Sequence, residues 1–318
     1  MRELINELFA HYLANPLLNT RTDAAALSEI KGELMMTTDG FTVQPLEFPG
    51  GDIGALAIHG TVNDLAVAGA DPLYLSLNAF IEEGLEIAQL ERIIQSLATT
   101  AEHAGVKIVT GDTKVVRRGE GGGVYLATTG VGVKHPQQDL SMDHIQTGDC
   151  VLVSGPVGDH GTAVMLAREQ FGMRGDLQSD AATVLPLTRA LREIAGLRFM
   201  RDPTRGGLAS VMQEIHQASG LGLRLWQKDI PIREPVTAVC EMLGYDPLYL
   251  ACEGRVVAVV SEEDADKALA LWQQLPEGAD AALIGRITEA QQRVILETSL
   301  GGERILEELE DDPLPRIC

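Results

Sequence analysis

The chain has 318 residues, room for two domains with a well-buried core, and its 45% hydrophobic and 22% charged residues are ordinary for a soluble globular protein. A formal net charge of −21 argues against nucleic acid and anionic membrane surfaces as partners, because both need clustered Lys and Arg. No segment has the length and unbroken apolarity of a membrane-spanning helix, and with aromatics at 4% the core must come from Ala, Leu, Val and Ile.

The first nine residues, Met1 to Phe9, read as an amphipathic helix and not as a signal peptide. Residues 33–38 read as a strand ending at Asp39-Gly40. The Ala-rich stretch 54–69 reads as a helix carrying Asn63-Asp64. A strand at 74–81, a helix at 86–104 and a strand at 106–116 follow. The Gly-rich turn 119–123 leads into a strand at 124–133, and the spacing predicts that these last two strands form a hairpin. Polar, turn-rich residues 134–148 mark the domain boundary. Beyond it, strands are expected at 151–154, 197–200, 222–226, 256–260, 281–287 and 294–298. Helices are expected from 162, and at 206–218, 235–243 and 262–275. The pattern predicts an α/β (α+β) enzyme with an N-terminal domain at 1–135 and a C-terminal domain at 149–300. A mobile tail follows at 301–318: Pro313 and Pro315 cannot continue a helix or enter a central strand, so the end is expected to be an arm presenting Cys318.

Four acids recur beside turn-forming or strand-ending residues: Asp39, Asp64, Asp112 and Asp202. Carboxylates so placed can hold a hard cation, and Mg²⁺ bound by a few carboxylates plus phosphate oxygens is the usual nucleotide arrangement. Each could equally be a cap or a turn acid. Side chains alternate along a strand, so Asp112 and Lys114 share a face and can meet one ligand. No GxxxxGK[ST] motif exists. Any phosphate is therefore expected at Gly158-Asp-His-Gly161 or Arg205-Gly-Gly207, Gly-rich turns that run into helices. His160 would contact that phosphate or merely cap its helix. Glu253, ahead of an apolar strand, is a general-base candidate or an ordinary turn acid. Cys150, Cys240, Cys252 and Cys318 show no CxxC spacing, which disfavours a zinc site or disulfides and fits a reducing cytoplasm. Cys252 is expected to be a buried hydrophobe.

Together these motifs resemble the HypE family of hydrogenase maturation factors, carbamoyl dehydratases of the PurM-like (aminoimidazole ribonucleotide synthetase) superfamily. The resemblance covers nearly the whole chain. It rests on Phe48-Pro-Gly-Gly51, Gly60-Thr-Val-Asn-Asp64, Val109-Thr-Gly-Asp-Thr-Lys-Val-Val116, Ser154-Gly-Pro-Val-Gly-Asp-His-Gly161, Arg201-Asp-Pro-Thr-Arg-Gly-Gly207, Cys252-Glu-Gly254 and Pro315-Arg-Ile-Cys318. It implies a PurM-like fold, homodimerisation through the N-terminal sheet and ATP bound between the domains. By the same resemblance, Asp39, Asp64 and Asp112 would hold Mg-ATP, with Asn63, His160 and Asp202 nearby. Lys114 and Glu253 would orient and deprotonate a thiocarboxamide carried on Cys318. A HypF-type carbamoyltransferase would load that cysteine, and a HypC–HypD complex would receive the cyano group. Members usually begin with a Gly- and His-rich segment, whereas here Met1 runs directly into Arg2-Glu-Leu-Ile-Asn6. Either the start is truncated or misassigned, or closure over ATP uses other residues. Two rivals are another ATP-using PurM-like enzyme, selenophosphate synthetase-like or thiamine-phosphate kinase-like, and a catalytically idle carrier for maturation partners.

Overall fold

The computed structural model describes residues 5–18, 24–168, 176–289, 293–309 and 317; Cys318 lies outside the described residues. A short helical segment at Ile5–Phe9 and Ala10–Tyr12 precedes strand β1, Leu34–Phe41. Two-residue strands β2 (Glu47–Phe48) and β3 (Gly51–Asp52) pair with each other and lead into helix α1, Ile53–Val67. Asp52 caps α1, its carboxylate accepting from the N–H groups of Gly54 and Ala55 at 2.7 and 3.0 Å. Strand β4 (Ala70–Glu82), helix α2 (Ile87–Ala104) and strands β5 (Lys107–Val116) and β6 (Val124–Lys134) complete the N-terminal domain.

The sheet order is β1-β6-β4-β5. β6 runs antiparallel to β1 and β4, while β5 runs parallel to β4 and is reached through α2, as a parallel pair requires a crossover. Both helices cover one face of this sheet. α2 buries a stripe of Leu90, Ile93, Ile94 and Leu97, whereas α1 is apolar nearly all round because the sheet, α2 and the C-terminal domain enclose it.

The expected hairpin between β5 and β6 does not form, because β4 lies between them. Glu82, at the end of β4, supplies the reason. Its carboxylate accepts from the N–H of Gly119 at 2.6 Å and of Gly123 at 3.0 Å. The Gly-rich turn therefore wraps the end of β4 and delivers β6 to that strand's far side.

In the C-terminal domain, β7 (Cys150–Val153), α3 (Asp159–Arg168), α4 (Leu185–Ala190), β8 (Leu197–Arg201), α5 (Gly207–Ser219) and β9 (Gly222–Trp226) are followed by α6 (Glu234–Leu243) and β10 (Val257–Val260). Helix α7 (Ala265–Gln273) and strands β11 (Ala282–Thr288), β12 (Val294–Glu297) and β13 (Glu303–Ile305) close the domain. The seven strands run β13-β12-β9-β11-β7-β10-β8, antiparallel except where β12 meets β9. β7 and β10 are buried along their whole length because helices cover both faces. Val151, Val153, Val257 and Val259 join Leu208, Met212 and Ile215 of α5 on one side. Leu152, Ala258 and Val260 join Ala268 and the fully buried Trp272 of α7 on the other, in a cluster continuous with the N-terminal core. The two domains thus share one apolar interior, and Arg189 and Arg192 clamp Asp71 at the start of β4 at 2.8 and 2.7 Å.

The body of the C-terminal domain extends past the boundary expected at residue 300. β13 pairs with β12, and Leu306 is fully buried. Three residues after Gly301-Gly302 carry too short a pattern to announce a strand. Among the described residues, no helix is long and apolar enough to cross a membrane.

Candidate active site

The last turn of α1 and the edge strand β1 bring the first two acids, Asp64 and Asp39, together. Asp39 and Thr37 point to the helix-covered face of the sheet, since residues two apart on a strand share a face. Thr37 Oγ1 donates to Asp64 Oδ2 at 2.8 Å, tying β1 to α1. The approach depends on Gly60: a Cβ there would lie 2.8 Å from the Phe41 ring and 3.6 Å from Asp39 Oδ2. Asp202, just after β8, and Glu253, just before β10, reach the same place from the C-terminal domain. Both are buried, at 5% and 2% exposure.

Two buried carboxyl groups, Asp202 and Glu253, face the half-buried Asp64 and the exposed Asp39, and the negative charges oppose each other's ionisation. Burial pushes Asp202 up to about 7, helped by the charges of Asp64 and Asp39 and offset in part by Arg201. Glu253 is raised well above its ordinary value by burial, then by Asp202, Asp180, Asp39 and Asp64. Burial also raises Asp39 and Asp64, against the opposing pull of Arg205 and Arg201 respectively. Glu253 Oε1 has no hydrogen-bond partner among the described residues. Such a site favours a bound cation or retained protons.

Asn63 holds the junction together. Its Nδ2 donates to the carbonyls of Ala182 and Glu253 at 3.0 and 3.2 Å, and its Oδ1 accepts from the Val184 N–H at 2.9 Å. It therefore positions Glu253, with all three contacts made to protein backbone. Asp180 supports the same segment from the other side: Oδ1 accepts from the Glu253 N–H at 3.1 Å, and Arg255 lies 3.3 Å from Oδ2. Nothing in the sequence marks Asp180 or Arg255 as partners of Glu253, since Asp180 falls in a stretch with no periodic signal and Arg255 opens an apolar run. Cys252 is fully buried, and burial raises its thiol well above the ordinary value, so it is the small hydrophobe expected.

His160 is fully buried, and both ring nitrogens are taken by protein groups. One side pairs Nδ1 with Ser179 Oγ at 2.8 Å and the other pairs Nε2 with the Ile317 carbonyl at 2.8 Å. In this arrangement the ring has no nitrogen left for a phosphate.

Asp112 and Lys114 occupy a different place. The strand register puts both on the helix-free face of the sheet, in line with Asn78 and Phe80 of β4, whereas Asp39 faces the helices from the opposite edge strand. Lys114 Nζ lies 2.5 Å from Asp112 Oδ2, and both side chains are more than half exposed. Within one chain, therefore, Asp112 does not complete the set of Asp39 and Asp64, and Lys114 does not meet Glu253. Spacing along β5 fixed their shared face correctly but could not say which face. Among the described residues, no three His, Cys, Asp or Glu side chains form a ready-made metal cage.

Residues 21–134 match the family described as AIR synthase related protein, N-terminal domain, and residues 146–297 match its C-terminal domain counterpart. The fold is thus the two-domain PurM-like architecture, as the motifs implied. Carbamoyl dehydratase HypE of Azotobacter vinelandii is 46% identical over 320 residues, covering 100% of this chain and 94% of that protein. A solved structure of hydrogenase maturation protein HypE in complex with ATP matches with a TM-score of 0.95 and 43% identity, covering 100% of this chain and 96% of that one. A chain of a solved HypE–HypF complex matches with a TM-score of 0.84 and 42% identity, over 96% of this chain and 99% of that one. The chain belongs to the HypE family of carbamoyl dehydratases, ATP-dependent enzymes of hydrogenase maturation.

Proposed function

We propose that the chain converts a carbamoyl group carried on Cys318 to a thiocyanate, with ATP as the co-substrate. In the net change, the carbamoyl oxygen leaves in inorganic phosphate, two N–H protons are removed, and a C≡N bond remains on sulfur. The observation that carries this reading is the meeting of two features at one domain junction. Glu253 is buried there with an unpartnered oxygen, and Ile317, the residue before Cys318, returns to His160, whose ring feels the Asp180 carboxylate bonded to the Glu253 N–H. Glu253 accepts a proton from the carbamoyl nitrogen. Its burial excludes water that would hydrolyse an activated intermediate.

Asp39, Asp64 and Asp202 would hold Mg²⁺ together with phosphate oxygens, and their oxygen-only donor set in a proton-retaining cluster fits that hard cation. When bound, Mg²⁺ offsets negative charge on the phosphates. A homodimer is the proposed state. Leu34, Met36 and Phe80 stand on the helix-free face of the sheet at 57%, 72% and 40% exposure, an apolar surface suited to a second copy. Packing through this face would place Asp112 and Lys114 at the interface, where they are offered to the partner's acids. HypF and HypC–HypD are the proposed donor and acceptor partners, and the cytoplasm the proposed compartment. There the buried free thiols of Cys150, Cys240 and Cys252 and the arm's Cys318 stay reduced.

Mass spectrometry of the C-terminal peptide tests the reading. After incubation with a HypF-type carbamoyltransferase, carbamoyl phosphate and ATP, Cys318 gains a carbamoyl mass and then loses one water. Glu253→Gln should keep the carbamoyl adduct and slow the water loss by at least about 100-fold. No adduct on Cys318, with an active transferase control, overturns the proposal.

A further inference from the structure

We propose that His160 is the latch that docks the arm, a positioning residue that fixes Cys318 by holding the carbonyl of the residue before it. The inference rests on the proposed role of Cys318 and extends it to the group that seats the arm. Ile317 is 4% exposed and packs into the core shared by the two domains. Its carbonyl sits 2.8 Å from His160 Nε2. An apolar side chain and a backbone carbonyl are therefore both engaged at the position one peptide bond before the cysteine.

The seat around the ring is built. Ser179 Oγ lies 2.8 Å from Nδ1, and Ser179 Oγ also accepts from the Ala181 N–H at 3.0 Å. The Phe48 ring meets the imidazole edge-on, with centroids 5.4 Å apart. Ser179 N–H in turn donates to the Pro49 carbonyl at 2.8 Å, so the Phe48-Pro49-Gly50 turn of the N-terminal domain closes over the seat. Burial lowers the affinity of the imidazole for a second proton, so it carries one N–H. That proton belongs on Nε2, facing the carbonyl, while Nδ1 accepts from the serine hydroxyl. The Ile317 carbonyl, which can only accept, sets this tautomer, and the Ser179 hydroxyl matches it by donating to the bare Nδ1. Asp180, the next residue, accepts the Glu253 N–H, so latch and base are set by adjacent residues of one segment.

Histidine suits the task. A neutral donor at this depth stabilises a docked carbonyl by about the net value of one buried hydrogen bond, small enough to release the arm again. A charged donor would cost more to bury and hold longer.

The test reads the accessibility of the Cys318 thiol in the folded full chain. Cys150, Cys240 and Cys252 are at most 2% exposed, so brief treatment with iodoacetamide reports on the arm. His160→Phe keeps volume and the contact with Phe48 but removes the donor. It should raise the rate of Cys318 alkylation by about tenfold, the equivalent of one buried hydrogen bond. His160→Gln, which can still donate, should restore slow alkylation. In an Ile317→Ala background the arm is already released, and His160→Phe should add little. In single turnovers of carbamoylated chains, His160→Phe should slow dehydration while leaving the ATP concentration dependence unchanged. Because alkylation needs no dehydratase chemistry, the latch can fail while the proposed reaction stands, and the reverse. Equal alkylation rates for His160→Phe and the parent chain, or additive effects with Ile317→Ala, overturn the proposal.

Discussion

Asp202 shows how one residue carries the electrostatic cost of the site. Its ordinary carboxyl value is 3.8, and in the folded chain burial moves it to about 7. Below pH 3.8 the group is protonated in both folded and unfolded chains, so ionisation costs nothing. As pH rises from there, the unfolded chain ionises while the folded chain keeps its proton, and stability falls until about pH 7, where the penalty is complete. Asp202→Asn should therefore stabilise the metal-free protein at pH 8 by an amount on the order of 2–4 kcal/mol, and hardly at all at pH 3.5. Thermal melts at the two pH values check this. A gain that is the same at both would assign it to packing and not to charge. At this scale the sequence marked Asp39, Asp64, Asp202 and Glu253 as acids at turns, a pattern that residue type and neighbours make visible. It could not mark Asp180 or the true contacts of Asn63, because a buried side chain's partners come from segments distant along the chain.

Secondary structure places these residues through a few close approaches. α1 can lie against β1 because Gly60 has no side chain, with the Phe41 ring where a Cβ would be. Gly60→Ala should cost roughly 1–3 kcal/mol by overpacking, read by urea unfolding. Asp39 should also shift outward, so the variant should bind ATP more weakly even where it remains folded. Unchanged unfolding free energy would show that β1 moves away without penalty. Periodicity in the chain located most strands and helices, since apolar spacing directly reflects which face is buried. Pairing was less legible. Turn chemistry between β5 and β6 suggested a hairpin, but the Glu82 carboxylate gathers that turn around β4.

For the whole molecule, the decisive feature is the face of the N-terminal sheet that no helix covers among the described residues. Its exposed Leu34, Met36 and Phe80 lie on the same face as Asp112 and Lys114. Met36→Glu should weaken self-association, shifting the sedimentation profile toward single chains. If the face joins two copies and Lys114 serves its partner's Glu253, mixing Lys114→Ala with Glu253→Gln chains should recover activity. Random pairing leaves half of the dimers mixed, each with one intact site, so about a quarter of the parental activity is expected. No recovery from a mixture that exchanges subunits would place both residues' work within one chain.

Residue type and spacing were enough to mark a two-domain α/β (α+β) chain, its turn acids, the base candidate and the cysteine at residue 318, while the PurM-like architecture followed from the family resemblance of the motifs. The first four are read from residue type, spacing and periodicity, which survive any change of register. Only the tertiary structure decided that Asp39 and Asp112 look out from opposite faces, that Asn63 braces Glu253, and that His160 grips the residue before Cys318. A strand's two faces are equivalent until a helix covers one of them, and a buried polar group has no partner until the chain folds one against it.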